Sequence, residues 1–423
     1  AGARELDELG RVRREVDATG RERRFEYTPD GLPTRVEAGS GQVVEREYDP
    51  VTRELIGSVT TSPVGAEVRE AIEYDAIGLP IAVYDPADRA GTEITTRYDG
   101  FGNPVEVAYP DGRIMTIGYD EHGRRERVTD VSGRTTFLDY DDAGRLVRAV
   151  QRADEAPASA VVAEVEYRYD ALGRIRALER GNGVSTAYTF TSASEVASET
   201  TTAGDAVIAE REYEYAPDGM LVRRVDRVRN AATEASEVTA TAYDYDAFRR
   251  LIRSTTSAGE APDAAVVTRT EYDPTVGGDV RSERVWAARG TGQGDAASAE
   301  AGAGAALDAE PVTRAFEYSP LGELTAMTTD GDRVTQEYDA AGNLVRALDG
   351  TEYRYDAANR LVTEIRDGRR TDTSYWADGT RRGRSADTGE VIFYWDGDTL
   401  LSEEHRDASR ADAVGDTASY LVG

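Results

Sequence analysis

The chain of 423 residues has no cysteine, which excludes disulfides and thiolate metal sites and leaves the redox compartment unreadable. Lysine is missing too: all 50 basic residues are arginine. Histidine occurs twice, as His122 in the turn-like YDEHG and as His405 in the acidic LSEEHRD, both of which read as solvated positions. Zinc and cysteine-nucleophile catalysis therefore lack their usual parts. Long apolar runs are absent, none approaching the roughly 20 residues that cross a bilayer, and no signal peptide is visible. Positive charge is in deficit: 80 acidic residues give a net charge of −30. Such a surface disfavours nucleic acid and anionic membranes and favours a cationic partner. The all-arginine, acid-rich composition reads either as GC-rich coding or as salt adaptation, in which dense carboxylates keep a protein soluble. With so many acids, carboxylate pairs arise by accident and do not signal acid–base catalysis.

What the chain has in abundance is one phrase. YDAAGNL at 338 returns seventeen positions later as YDAANRL. In Y-D-x-x-G the Asp and Gly occupy the first and fourth places of a type I turn, followed by a left-handed residue as in three-residue hairpin loops. Asparagine is the best non-glycine substitute for that conformation, so the exchange of Gly342 for Asn359 speaks for backbone geometry rather than catalysis. Proline in the phrase (Pro29, Pro50, Pro217, Pro274, Pro320) falls on the second turn position, which its fixed φ suits. The frame occurs seventeen times, from Leu6 to Tyr394, and eleven copies carry the glycine. The structural turn residues this singles out are Asp75 and Gly78, Asp99 and Gly102, Asp120 and Gly123, Asp141 and Gly144, Asp170 and Gly173, Asp339 and Gly342, and Asp356 and Asn359. Thr52, Ser194, Arg249 and Val276 stand at the glycine position elsewhere, and YWDGDTL has its glycine one place early, so altered loops are predicted there, above all in YDPTVGGD.

Between phrases lies a second turn signal, such as PDGR at 110, DVSGR at 130 or RDGR at 367. Two turns per period of about 21 residues predict two short strands per repeat. The strands alternate: in VEYRYD, Val165, Tyr167 and Tyr169 oppose Glu166 and Arg168, the pattern of a half-buried antiparallel strand. Tyrosine suits a partly dry face, its ring packed and its hydroxyl wet, so the tyrosine rows read as packing rather than as sugar platforms. Extra residues gather near the second turn, and Ala/Gly-rich 288–311 is predicted to be a flexible loop. DGD at 330–332 and 396–398 lacks the calcium-loop spacing and reads as Asp-Gly turns. The expectation is all-β, one continuous array of 1–423 with about 17 repeats.

YDALGRI, YDDAGRL, YDAAGNL and YDAANRL resemble the tyrosine–aspartate repeats of the Rhs/YD-repeat family, which includes polymorphic toxins, wall-associated proteins, insecticidal toxin-complex subunits and teneurins. The resemblance runs over almost the whole chain, and 394–423 resembles the start of the run into that family's core-terminal segment. It implies a β-hairpin ribbon coiled into a shell. In toxin members the shell holds a variable C-terminal effector, freed by an aspartyl-protease-like segment downstream. The chain opens inside a repeat without Met and stops at Gly423 before any such segment, as expected of a piece of a longer protein, so no catalytic residue is carried over. At ~4.8 Å per strand, seventeen repeats make a ribbon roughly 160 Å long and about 24 Å tall. One closed coil would be about 50 Å across, barely room for a 100-residue domain of radius of gyration about 13 Å. About one coil, partly open, is therefore expected.

The functional expectation is a non-enzymatic scaffold in a secreted Rhs-type toxin, helping to enclose and deliver an effector in intercellular competition. Its partners would be the rest of the parent chain or neighbouring subunits, with no cofactor and no metal. The alternative is a cell-surface adhesion or filament protein binding glycans or other cells through its loop-bearing edge.

Overall fold

The computed structural model describes residues 2–17, 20–156, 160–230, 233, 235–261, 263–288, 307, 310–407 and 416–420. Among them are thirty-six strands and a single helical turn, Arg89–Thr92. Strands Ala3–Leu6 through Asp332–Thr335 form a 27-stranded sheet and Glu337–Tyr338 through Asp416–Ser419 a nine-stranded one. Sequence neighbours pair antiparallel, as in Glu67–Tyr74 with Pro80–Tyr84 and Ser236–Tyr245 with Leu251–Ala258. The chain is thus the antiparallel hairpin ribbon predicted, and all but wholly β.

The tyrosine-led hairpins share one irregularity. Tyr74 faces Pro80 while Glu73 faces Ala82, so the outgoing strand holds one extra residue. The same offset recurs at Tyr27, Tyr119, Tyr169, Tyr245 and Tyr355. It follows from a type I turn closed by a left-handed residue, which leaves one residue unpaired and adds local twist. Where glycine is missing, the backbone keeps the left-handed residue regardless: φ is 69° at Ser194, 64° at Arg249 and 60° at Asn359. The altered loops expected at Ser194 and Arg249 do not occur, since both residues close regular turns, but two other frames are altered as expected. In YDPVTR the turn is one residue longer, with the left-handed position at Arg53 instead of Thr52. In YDPTVGGD it is displaced by two residues: Thr275 opens it, Gly278 closes it, and Pro274 is the last residue of the strand. The proline rule fails there because a Gly-Gly pair offers a better left-handed site. At DGD 330–332 both Asp330 and Gly331 have positive φ, a two-residue type I′ hairpin.

The chain divides into two compact units. The first comprises Ala1–Asp139, Ala149–Val162 and Gln336–Gly423; the second comprises Tyr140–Arg148 and Ala163–Thr335. Both apolar clusters of buried side chains lie in the first. Of the Ala/Gly-rich segment 288–311, Ala288 and Leu307 form an isolated antiparallel bridge; residues 289–306 and 308–309 lie outside the described residues.

Candidate functional site: the repeat latch and the seam

The aspartates singled out from the sequence sit in one shared geometry. In the turns of Asp75, Asp99, Asp120, Asp141, Asp170, Asp339 and Asp356, Oδ1 accepts two backbone N–H bonds at 2.8–3.0 Å, from the residues two and four places on. The N–H of Gly78, Gly102, Gly123, Gly144, Gly173, Gly342 and Asn359 donates to the Asp carbonyl at 2.9–3.2 Å. Their φ values lie between 60° and 89°. The second carboxylate oxygen takes the side chain after the left-handed residue. It accepts from Nε of Arg124, Arg145, Arg174 and Arg360 at 2.7–2.8 Å, and from Nδ2 of Asn103 and Asn343 at 3.0 and 2.9 Å.

Two turns invert the pair. Thr191 and Ser319 replace the Asp, and Glu195 and Glu323 replace the Arg, so that the hydroxyl donates to the carboxylate at 2.9 Å. Donor and acceptor have exchanged ends and the bond survives, which assigns this position a hydrogen-bonding role that the sequence reading did not recognise. The consequence for titration is local. The Asn103 amide and the Arg145 guanidinium hold Asp99 and Asp141 below the usual carboxylate range. At Asp120 and Asp170 burial pushes upward, but hydrogen bonds from Arg124 and Arg174 outweigh it.

Many of the turns are also tied to the next. Ten phrase tyrosines do not leave their hydroxyls wet, as the sequence suggested. They donate at 2.6–3.0 Å to the carbonyl two residues past the left-handed position of the preceding turn, as Tyr74 does to Leu55 and Tyr245 to Leu221. The arginine of the preceding turn lies over the same ring: Arg11 on Tyr27 at 4.8 Å, Arg145 on Tyr169 at 4.6 Å, Arg174 on Phe190 at 4.0 Å, Arg360 on Tyr375 at 4.5 Å. Asp, Arg and the following Tyr thus form a latch that fixes hairpin to hairpin through a salt bridge, a cation–π contact and a hydrogen bond. The spacing of Tyr from the previous glycine, constant apart from second-turn insertions, is the signal that could have revealed it.

The first unit has a second feature, a seam between residues far apart in the chain. Tyr109, Trp376 and Tyr394 are buried with ring centroids 5.0, 5.2 and 6.2 Å apart, flanked by Ile94 and Ile392. The Tyr109 hydroxyl donates to the Trp395 carbonyl at 2.9 Å and accepts from its N–H at 3.1 Å. The Tyr394 hydroxyl donates to Asp111 Oδ2 at 2.7 Å, and Trp376 Nε1 to the Phe393 carbonyl at 3.0 Å. Burial pushes both phenols, Tyr109 and Tyr394, well above the ordinary tyrosine range.

Next to the rings, Leu401 packs on Met115, Ile117 and Val128. Arg125 grips the buried Asp396 with both terminal nitrogens, and Arg113 meets the buried Glu404 at 2.6 Å. A cavity of about 350 Å³ lies alongside, walled by Ala82, Ile94, Val107, Met115 and Trp395. Tyr109 and Trp376 occupy the first position of their turns, where Asp stands in the regular ones. An aromatic in place of the capping Asp, in YPDG and YWADG, is the sequence mark of the seam, and it went unread. His122 and His405 take no part: each is exposed beside a neighbouring carboxylate, Asp120 and Glu403.

Comparison with known proteins agrees with this geometry. The family model described as teneurin YD-shell matches residues 2–160, and that described as RHS repeat matches 318–351. Among solved structures, TcdB2-TccC3 without its hypervariable C-terminal region has a TM-score of 0.70 at 14% identity, over 96% of this chain and 22% of that one. A TcdB2-TccC3-TEV crystal structure has a TM-score of 0.67 at 14% identity, over 94% and 20%. The Tc holotoxin pore of Photorhabdus luminescens has one of 0.64 at 13% identity, over 96% and 22%. The chain therefore spans about one fifth of the length of these structures and shares their fold. No curated protein matches its sequence. With tyrosine-led turns repeated along the ribbon, family models matching 2–160 and 318–351, and the fold of the TcdB2-TccC3 structures over almost its whole length, the chain is similar to Rhs/YD-repeat proteins and shares their fold.

Proposed function

We propose that this chain is a non-enzymatic shell scaffold of a secreted Rhs-type toxin, one that helps to enclose an effector and deliver it in competition between cells. The observation that carries this reading is the seam. Residues 376–404 cover 94–131 with buried rings and paired charges, so the ribbon of the first unit is fastened to itself, as a wall requires and a free-ended adhesive ribbon does not. The likeness to TcdB2-TccC3 supports it, since one of those structures is named for a hypervariable C-terminal region. On this reading 1–423 is one array, its turn Asp and Gly residues are structural, and 394–423 leads toward a core-terminal segment. The natural partner is then the C-terminal effector or an adjoining subunit.

The test is protection. The chain would be produced with a protease-sensitive reporter domain after Gly423 and digested beside the free reporter. The expected result is slower cleavage of the attached reporter, lost again in Tyr109→Ala/Trp376→Ala. Equal cleavage of attached and free reporter would overturn the enclosing role.

A further inference from the structure

A type I turn ordinarily places polar or small residues at its tip. Here large apolar side chains stand there. In the first unit Leu9, Val51, Ile77 and Phe101 are 70%, 85%, 77% and 94% exposed. Each occupies the third position of a turn of the same frame, led by Leu6 for Leu9 and by tyrosine for the others, or its equivalent in the longer turn at Asp49. Leu172 and Phe248 repeat the arrangement in the second unit, and Val276 stands in the displaced turn. Among the described residues, Val64 is the only other large apolar side chain as exposed as these. The apolar tips therefore belong to the regular edge of the ribbon and not to the edge with variable loops. Isolated exposed apolar residues need no explanation, but a row in register at one turn position does.

The row has a spacing and a charge. Val51, Ile77 and Phe101 stand on three successive hairpins. Turns on one edge recur every two strands, about 9.6 Å. An extended peptide presents same-face side chains at about 6.8 or 13.6 Å and cannot meet that interval. An α-helix presents residues seven apart at about 10.5 Å on one face, a mismatch of about 1 Å per hairpin that side chains absorb. The six turns from Asp7 to Arg124 carry nine carboxylates against three arginines. That balance opposes a second copy of this acidic chain and favours a basic partner.

We infer that the tyrosine-led edge is a docking rail for a basic amphipathic helix of a partner, its apolar residues at heptad spacing seated on Val51, Ile77 and Phe101. The rail is independent of whether the shell encloses an effector, because the tips lie on the turns and not at the seam.

The probe is a fluorescent 21-residue peptide with Leu at heptad positions and Lys and Arg elsewhere, set against a scrambled peptide of identical composition. Anisotropy measures binding to the full chain, and circular dichroism measures helix formation in the complex. The heptad peptide is expected to bind and gain helix, and the scrambled one to bind about tenfold more weakly. Val51→Ser/Ile77→Ser/Phe101→Ser, all at exposed positions, should weaken binding by about tenfold or more, whereas Val64→Ser on the opposite edge should leave it unchanged. Equal binding of the two peptides, or binding unaffected by the triple substitution, would overturn the rail. So would concentration-dependent dimerisation in sedimentation that the triple substitution abolishes, since the row would then serve a second copy.

Discussion

The two compact units are built from the same hairpins yet differ in what lies over them. In the first, Tyr109, Met115, Ile117, Trp376, Ile392, Tyr394 and Leu401 are fully buried, because a second set of strands covers the first. In the second, the buried apolar side chains are few and small, Val225, Ala240, Ala288 and Ala326 among the described residues, and Thr186 and Thr241 are buried as well. Its strands are held instead by ladders: Thr241 to Thr256 at 3.0 Å, Thr186 to Thr201 at 3.3 Å, and Arg211 bridging Glu199 and Asp226. Such cross-strand pairs contribute only about 0.2–1 kcal/mol each. Repeated turn pairs, tyrosine hydroxyl bonds and cross-strand ladders are thus enough to make the sheet, whereas a dry core requires a second layer. The seam is where the chain supplies one.

The largest test of this contrast is Trp376→Ala. Removing a buried ring of the seam should cost about 3–5 kcal/mol, and amide exchange should rise in 94–131 and 376–404 while 206–258 keeps its protection. Uniform loss across both regions would show that they do not differ as argued. Arg125→Met comes next. It leaves the carboxylate of Asp396 buried without its cation and should cost on the order of 2–4 kcal/mol, somewhat less than for a pair buried on both sides, since the Arg125 side chain is 37% exposed. Arg125→Met/Asp396→Leu should recover part of that loss in chemical denaturation.

A smaller effect should be blind to the contrast. Tyr74→Phe in the first unit and Tyr245→Phe in the second each delete one hydroxyl bond, of 3.0 and 2.9 Å, and each should cost about 1 kcal/mol. Unequal losses would mean that the latch is not one device. The smallest effect per residue is acid sensitivity. The hydrogen-bonded turn carboxylates of Asp99, Asp141 and Asp246 have folded pKa values below their unfolded ones. Their stabilisation is complete above the unfolded value of about 3.9 and is lost as pH falls through the folded values. Thermal unfolding should therefore be flat from neutral pH to about 5 and decline below about 4, in both units alike. Asn replacing Asp at 99, 141 and 246 should flatten that decline.

Much of the local architecture could be read without coordinates. The turn frame, the alternation of Val165, Tyr167 and Tyr169 against Glu166 and Arg168, and the two-strand repeat rest on φ preferences and side-chain period, which neighbouring residues determine among themselves. An altered loop in YDPTVGGD was legible, but not its placement at Thr275–Gly278, because two adjacent glycines offered a choice of left-handed sites and hydrogen bonding chose between them. The arginine of the phrase was in plain view, but its second partner is a ring one repeat away. The seam was least legible: an aromatic at the first turn position marks Tyr109 and Trp376 as unusual, but nothing local says that Tyr109 meets Trp395.

The sequence by itself determined that this chain folds as a ribbon of antiparallel hairpins, since Asp, Gly and alternating Tyr and Val act over a few residues and need no distant help. Only the tertiary structure decided which aromatics become core and which phenols become stitches. Those outcomes depend on contacts between residues nearly 300 positions apart, and no single repeat encodes which distant strand it will meet.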